Sequence, residues 1–555
     1  MKEDLKSFYL AVLLSMAVVF VANQWIFGDK NVENAESAAI EEASVLQAEN
    51  ESASAKEENT FLAVDDVLRA SPRVDILNND LQGSIRLVGG RIDNIKLRRY
   101  KQSLEKASPD VELFAPAKTK NPYYAEFGWL SNDKNLKLPN SETLWSLRGT
   151  KLTPKTPVIL EWDNGEGLRF VTKFSLDDNY MFVVEQAVEN NTAEKVTLFP
   201  YGMIVRSPEE VSRSIVHEGL IGVFDDKLEE IEYSDLSKES KEFKANKGWF
   251  GFSDRYWFSS IIFGNKQPVR VKFSQNNERT YQADFVGDAV EVASGSVASV
   301  RDMMYIGAKE IKLLDNYAKN LNINKFDLAV DFGWYYFLTK PFFYILDYLY
   351  KLIGNMGWAI LLFAALLRLF MFPIANKSYE NMAKMKKLQP KMKELQEKYA
   401  GDKLKLQQET MLLYQKEKIN PASGCLPMFI QIPVFFSLYK VLNIAIEIRQ
   451  APFVGWIKDL SAPDPLVISQ WSHLPMPAFL DIGIWPIVMG ITMYIQQKMN
   501  PAPTNKDQAR AFALMPLIFM FMMGHFASGL VIYWSFSNLL SIIQQRAIIV
   551  KNRDK

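Results

Sequence analysis

Apolar positions along this chain fall into two regimes with different periods. Residues 8–27 and 342–548 hold long apolar runs, while the stretch between them alternates short apolar and polar stretches. Phe8 to Phe27 (FYLAVLLSMAVVFVANQWIF) contains no charge and is long enough to cross a hydrocarbon core. It lacks a closely following small-residue cleavage pattern, so it reads as an uncleaved signal anchor rather than a removed signal peptide. Five further runs, Met356–Pro373, Gly424–Ala445, Ile482–Gln497, Phe512–His525 and Ser528–Val550, predict membrane helices. Pro427, Pro433, Pro486 and Pro516 lie inside them, where neighbouring helices can satisfy the freed backbone groups.

Between the anchor and these helices the period changes to two. Runs such as SIRLVGGRIDNIKL, LRFVTKFSL, YMFVVEQAVEN and PVRVKFS, punctuated by Gly, Asn, Asp and Pro, predict an all-β sandwich. Residues 29–60 are rich in Glu, Ala, Ser and Asn and too poor in large apolar groups to fold alone, which makes them a tether. Residues 341–353 (PFFYILDYLYKLI) are apolar on most positions, with Asp347 and Lys351 spaced i,i+4, and predict a helix lying in the outer membrane interface.

The resulting organisation is an anchor over 1–28, a tether over 29–60, a β domain over 61–335, an interfacial helix over 336–355 and a helical core over 356–550. A helical hairpin over 377–420 interrupts the core, and a basic tail closes the chain at 551–555. Within the hairpin, Met385, Leu388, Met392, Leu395 and Tyr399 repeat at alternating spacings of three and four, and Gly401 and Asp402 supply the turn.

Composition changes this picture little, but charge orients it. The chain has 555 residues, 64 Lys and Arg against 64 Asp and Glu, and a net charge of +0, an average that conceals the segregation just described. Lysines gather in 377–418, in the short loop with Lys498, Lys506 and Arg510, in the tail and at Lys2 and Lys6. Positive loops stay inside, so both termini and the hairpin are expected in the cytoplasm and residues 28–340 outside. Cys425 is the single cysteine, so neither an intrachain disulfide nor a Cys-based zinc site can form. His217, His473 and His525 lie far apart and offer no metal-binding spacing. No GxxxxGK[ST] motif is present, and no cofactor is expected.

One residue breaks the pattern. In GWAILLFAALLRLFMFP, Arg368 interrupts an apolar helix at an insertion cost of about 2.5 to 3.5 kcal/mol for a central position. Two readings stand. Arg368 precedes Pro373 by about 7–8 Å of helix and can snorkel to the cytoplasmic interface. Alternatively it faces a wet pocket among Gln431, Ser437, Thr492, Gln496, Gln497, Tyr533, Ser535, Ser537, Asn538, Ser541 and Gln544, with no carboxylate in any span to neutralise it. Met356, Met371, Met428, Met489, Met493, Met515, Met520, Met522 and Met523 crowd the same helices, as a surface accepting many apolar sequences or as ordinary gap filler. In the β domain, Trp249, Phe250, Tyr256 and Trp257 either line a ligand site or pack a core.

The stretches MAKMKKLQPK, EKINPASGCLPMFIQIPVF, EIRQAPF, WIKDLSAPDP and SGLVIYWSFSN resemble the YidC/Oxa/Alb family of membrane protein insertases over 331–550, and VDFGWYYFLTKPFF resembles that family's entry into the membrane. The resemblance implies a six-helix polytopic membrane protein, five helices forming the insertase core, with a periplasmic β-supersandwich of the long Gram-negative form, shaped like a sugar mutarotase. It implies a hydrophilic groove containing Arg368, with Gln431, Phe435, Trp456 and Tyr533 as groove and contact positions. A substrate segment would slide mainly between the third and fifth core helices. Ala364 stands where some members carry threonine, and Trp534 where others carry a second tyrosine.

The implied protein is not an enzyme. It would insert and help fold inner-membrane proteins, alone or with the Sec translocon, its partners being nascent membrane proteins, Sec components and the lipid bilayer. The hairpin would dock a ribosome or signal-recognition receptor without nucleic-acid specificity. Two competing readings are a small-solute transporter with an anion site at Arg368, which calls for inverted repeats, and a membrane-anchored periplasmic carbohydrate-binding protein.

Overall fold

A computed structural model describes residues 61–209, 216–263, 268–277, 279–399, 401–417, 426–473, 476–477, 480–500 and 506–551. The predicted anchor and tether lie outside these residues. The β sandwich and the helices that follow it belong to one compact unit.

Alternation of apolar and polar side chains builds the sandwich, because successive residues of a strand point to opposite faces. The strand Leu168–Leu176 shows this plainly, every second side chain being buried. An 11-stranded sheet runs in the order Lys241–Ala245, Val269–Asn277, Thr280–Val286, Val196–Arg206, Tyr123–Leu130, Ile92–Lys101, Leu81–Arg86, Arg73–Leu77, Lys151–Leu152, with two short strands off this path. A 9-stranded sheet runs Lys227–Glu232, Gly219–Phe224, Gly248–Ser253, Trp257–Phe263, Ser296–Ala308, Met181–Asn190, Leu168–Leu176, Val158–Asp163, Ser146–Arg148. The sheets meet through aromatic rings: Phe250 of the second lies 6.2 Å from both Phe273 and Phe285 of the first. Tyr123 and Ser259 add a buried hydroxyl contact of 2.6 Å across the same core.

Of the four aromatic residues open between site and core, Trp249, Phe250 and Trp257 pack against neighbours. Trp249 and Phe250 are completely buried, and the Trp249 indole donates to the Asn324 carbonyl at 3.0 Å. Trp257 packs against Tyr100 and beneath the Arg449 guanidinium.

Helices of ten residues or more are numbered from the end of the sandwich: α1 (Ile311–Asn320), α2 (Tyr336–Ile353), α3 (Met356–Lys398), α4 (Lys403–Lys416), α5 (Leu426–Ile444), α6 (Ile484–Met499), α7 (Lys506–Met523) and α8 (Ser528–Lys551). In α2, Phe342, Phe343, Leu346 and Leu349 are buried, while Phe337, Tyr348 and Leu352 face outward. Gly354 ends α2 with a left-handed φ of 77°, and the Asn355 side chain starts α3 by accepting from the Trp358 N–H.

The charge pattern suggests a boundary near residue 377, and the structure has none there. Helix α3 runs 43 residues without a break through Pro373 and Pro390, so one rod carries both the apolar span and the first arm of the hairpin. At 1.5 Å per residue it is about 65 Å long, roughly twice a hydrocarbon core. Each proline forfeits a single helical hydrogen bond, which the rest of so long a ladder absorbs. Asp402 caps α4 through the Lys405 N–H, and Lys391 pairs with Glu417 at 3.1 Å across the hairpin.

Among the described residues α3 is the one helix both long and apolar enough to cross a membrane by length and composition, and Phe429–Ile444 and Ala509–Met523 are shorter apolar helices. Helix α6, with 16 residues, reaches only about 24 Å.

The C-terminal end of α5 is tied to the sandwich. Arg255 donates to the Asn443 carbonyl at 2.7 Å and to its side-chain oxygen at 3.1 Å. Lys440 pairs with Asp331 at 2.6 Å, and just beyond the helix Arg449 donates to the Lys101 carbonyl at 2.7 Å.

Candidate functional site

Arg368 sits on α3 with Leu369 and Phe370 strongly exposed beside it, so its helix shows an apolar flank outward while the guanidinium turns toward α8. Nη2 donates to the Ser537 carbonyl at 3.2 Å, to the Ser537 hydroxyl at 3.4 Å and to the Ser541 hydroxyl. Nε is buried and has no partner. Every acceptor is neutral, and among the described residues Arg368 forms no ion pair. Of the two readings for this residue, the geometry favours the inward one. One turn earlier Ala364 is buried, so the wall that a threonine would make polar is here apolar.

A second polar pair lies on the neighbouring helix. The Gln431 side chain of α5 donates to the Tyr533 hydroxyl of α8 at 3.0 Å, and Tyr533 is otherwise enclosed, with 2% exposure. Farther along α8, Asn538 donates to Thr492 of α6 at 3.3 Å, Gln544 to Asn376 of α3 at 3.3 Å and Gln545 to Asn500 at 2.9 Å. Helix α8 is therefore the polar spine of the bundle, and it meets α3, α5 and α6 through side-chain amides and hydroxyls. Ser437 is fully buried with its hydroxyl unpartnered, which leaves one further polar group for water or a ligand.

Phe435 belongs to a different surface. Its ring is 4.7 Å from Trp534 and stacks on Tyr439 at 6.3 Å, and Trp534 in turn lies 5.8 Å from Phe519 of α7. The aromatic seam of Phe435, Trp534 and Phe519 is partly buried and joins α5, α8 and α7, while Phe429 and Phe436 of α5 are exposed. The third and fifth core helices, α6 and α8, are joined by the Asn538–Thr492 bond, and the Gln545–Asn500 bond fastens α8 to the residue that ends α6. Both contacts are only part-buried.

Trp456 does not join the group around Arg368. It lies in the loop beyond the far end of α5, where its indole donates to Asp464 at 2.9 Å, and Asp464 also accepts the Trp485 N–H at the start of α6. The tryptophan braces that loop. The methionines also divide: Met356, Met489 and Met523 are buried packing, while Met515 and Met522 are exposed on α7.

Sequence reasoning passed over Asn376, Asn500 and Gln545. Asn376 follows Arg368 by eight residues, a little over two helical turns, and that spacing on one helix side was the available signal.

The family model described as the YidC periplasmic domain matches residues 73–345, and that described as the 60Kd inner membrane protein matches residues 348–555. A protein named membrane protein insertase YidC from Beijerinckia indica subsp. indica is 44% identical over 99% of this chain and 96% of its own length. Its namesake from Rickettsia bellii is 43% identical over 98% of this chain and 99% of its own. Among solved structures, an active YidC insertase crystal structure with the first transmembrane domain resolved aligns with 85% of this chain and 94% of its own, at 17% identity and a TM-score of 0.36.

Proposed function

The chain belongs to the YidC family of membrane protein insertases, and from that premise we propose how its groove inserts a substrate. As an inner-membrane insertase it acts on newly made membrane proteins at the bilayer. A hydrophobic substrate segment slides along the aromatic seam of Phe435, Trp534 and Phe519, while the short polar or acidic flank it must bring across is drawn into the polar interior beside Arg368 and the Gln431–Tyr533 pair. The flank then crosses a shortened barrier, because part of its path lies among hydroxyls, amides and one cation rather than hydrocarbon. Burial of the segment's apolar side chains in lipid drives the step.

The observation that carries this reading is the state of Arg368. A guanidinium held by neutral oxygens keeps its whole charge, and its buried Nε is a donor whose missing bond an entering oxygen would complete. Lysine placement supports an orientation with the hairpin and both termini in the cytoplasm and the sandwich in the periplasm. In that orientation the basic hairpin faces the ribosome, the signal-recognition receptor and anionic headgroups, and the Sec translocon is a partner within the bilayer plane.

Site-specific crosslinkers placed at Phe435 and Phe519 test the path. A ribosome-stalled single-span substrate is expected to form adducts from both and none from buried Met489. Adducts from Met489 with none from the other two contradict it.

A further inference from the structure

We propose that Ser537 and Ser541 of α8 are positioning residues for Arg368, holding its guanidinium inside the groove while leaving Nε for the oxygen of an incoming substrate flank. The proposal rests on the groove reading above and adds what keeps the cation in place.

Arg368 has somewhere else to go. The cytoplasmic end of its apolar span lies about one and a half helical turns away, within reach of a stretched arginine side chain. What opposes that escape comes entirely from two serines four residues apart, on one side of α8. Both are buried. The Ser541 hydroxyl donates its own hydrogen to the Ser537 carbonyl at 2.8 Å, which commits the proton and turns the oxygen lone pairs to Nη2. The Ser537 carbonyl and hydroxyl complete a three-oxygen cradle for one nitrogen.

The choice of hydroxyl matters chemically. A carboxylate at either position would hold the arginine more strongly but would neutralise it, and alanines would leave only the Ser537 carbonyl. Serine fixes the position without consuming the charge. Because the cradle engages Nη2 alone, the opposite side of the guanidinium is where a substrate carboxylate or carbonyl can bind.

The test uses the full-length protein in cells depleted of their own insertase and two substrates that differ only in having an acidic or a neutral translocated flank. The readout is the ratio of acidic-flank to neutral-flank insertion. With wild type and with Ser541→Thr, which keeps the hydroxyl, the ratio stays high. With the double variant Ser537→Ala/Ser541→Ala it falls about tenfold, the scale of one lost hydrogen bond to a charge, while neutral-flank insertion persists and reports a folded protein. Arg368→Ala lowers the ratio at least as far. If Arg368→Ala lowers the ratio and the double variant leaves it at the wild-type value, the serines are not positioning residues. An equal fall for both flanks in the double variant also overturns the proposal, since that is a purely structural defect. A ratio unchanged in Arg368→Ala overturns the groove reading itself.

Discussion

Asp302 and Lys309 are buried ionisable groups seven residues apart, and burial moves them in opposite directions. Asp302 has neither oxygen hydrogen-bonded and lies diagonally across a strand pairing from Gln186, whose amide is equally unpartnered. Burial pushes its carboxyl up to about 7. The folded state therefore holds a proton that the unfolded state has released, so stability falls as pH rises from about 4 to about 7 and stays low above. Asp302→Asn removes that loss. Thermal unfolding of the purified protein should show the variant more stable than wild type at pH 8, on the order of 3 kcal/mol, and nearly equal to it at pH 4. A constant difference at both values contradicts the assignment. Lys309, donating to the Ser253 hydroxyl at 3.0 Å, is lowered by burial to about 8, and its window lies higher. There the folded state sheds its proton first, so stability rises from about pH 8 towards 10.5 and Lys309→Met flattens that rise. At this scale the sequence was partly legible. Arg368 stood out because a charge inside an apolar helix needs an explanation, whereas Asp302 looks like any polar residue on an alternating strand. Trp456 could be assigned to the groove only by resemblance, which carries residue identity but not distance, and its partner Asp464 is local to its own loop.

Among the elements, period was the reliable signal. The strands over 168–176 and 181–190 follow directly from alternation, and α2 follows from its dense apolar run, but Asp347 is buried and pairs with Lys312 as well as with Lys351 at 3.3 Å, while Phe337, Tyr348 and Leu352 are exposed. The length of α3 was hidden because hydropathy drops near residue 377 while helical geometry continues. The start of α3 carries a sharper constraint. Gly357 touches the Phe453 ring so closely that an added Cβ would lie 2.0 Å from Cδ2, and Phe453 is itself held edge-on to Trp358 at 5.5 Å. Gly357→Ala should therefore cost about 1–3 kcal/mol, the range for overpacking, read as a lower midpoint of thermal unfolding. An unchanged midpoint would mean that the loop yields freely. At the same end of the bundle, the grip of Arg255 on Asn443 predicts that Arg255→Ala raises hydrogen exchange along the last turn of α5, with protection in the Leu168–Leu176 strand unchanged.

The whole molecule divides its work between a sandwich that is closed and packed with aromatic rings and a helical bundle whose interior is polar along α8 and whose α5 and α7 expose apolar side chains such as Phe436 and Leu517. Fold class and family were legible from the two hydrophobic periods and a few loop motifs, since both are properties of sequence order. Which side chains gather around Arg368 was not, because Ser537 and Ser541 lie 169 and 173 residues away and only the bundle brings them together. In the proposed function this cation assists the passage of a polar flank. That role is tested most directly in cells depleted of endogenous insertase, by comparing wild type, Arg368→Lys and Arg368→Ala in the insertion of a panel of single-span substrates. Arg368→Lys is expected to retain much of the wild-type insertion and Arg368→Ala to lose it, the loss being greatest for acidic flanks. Equal insertion of every substrate by Arg368→Ala and wild type would contradict that role.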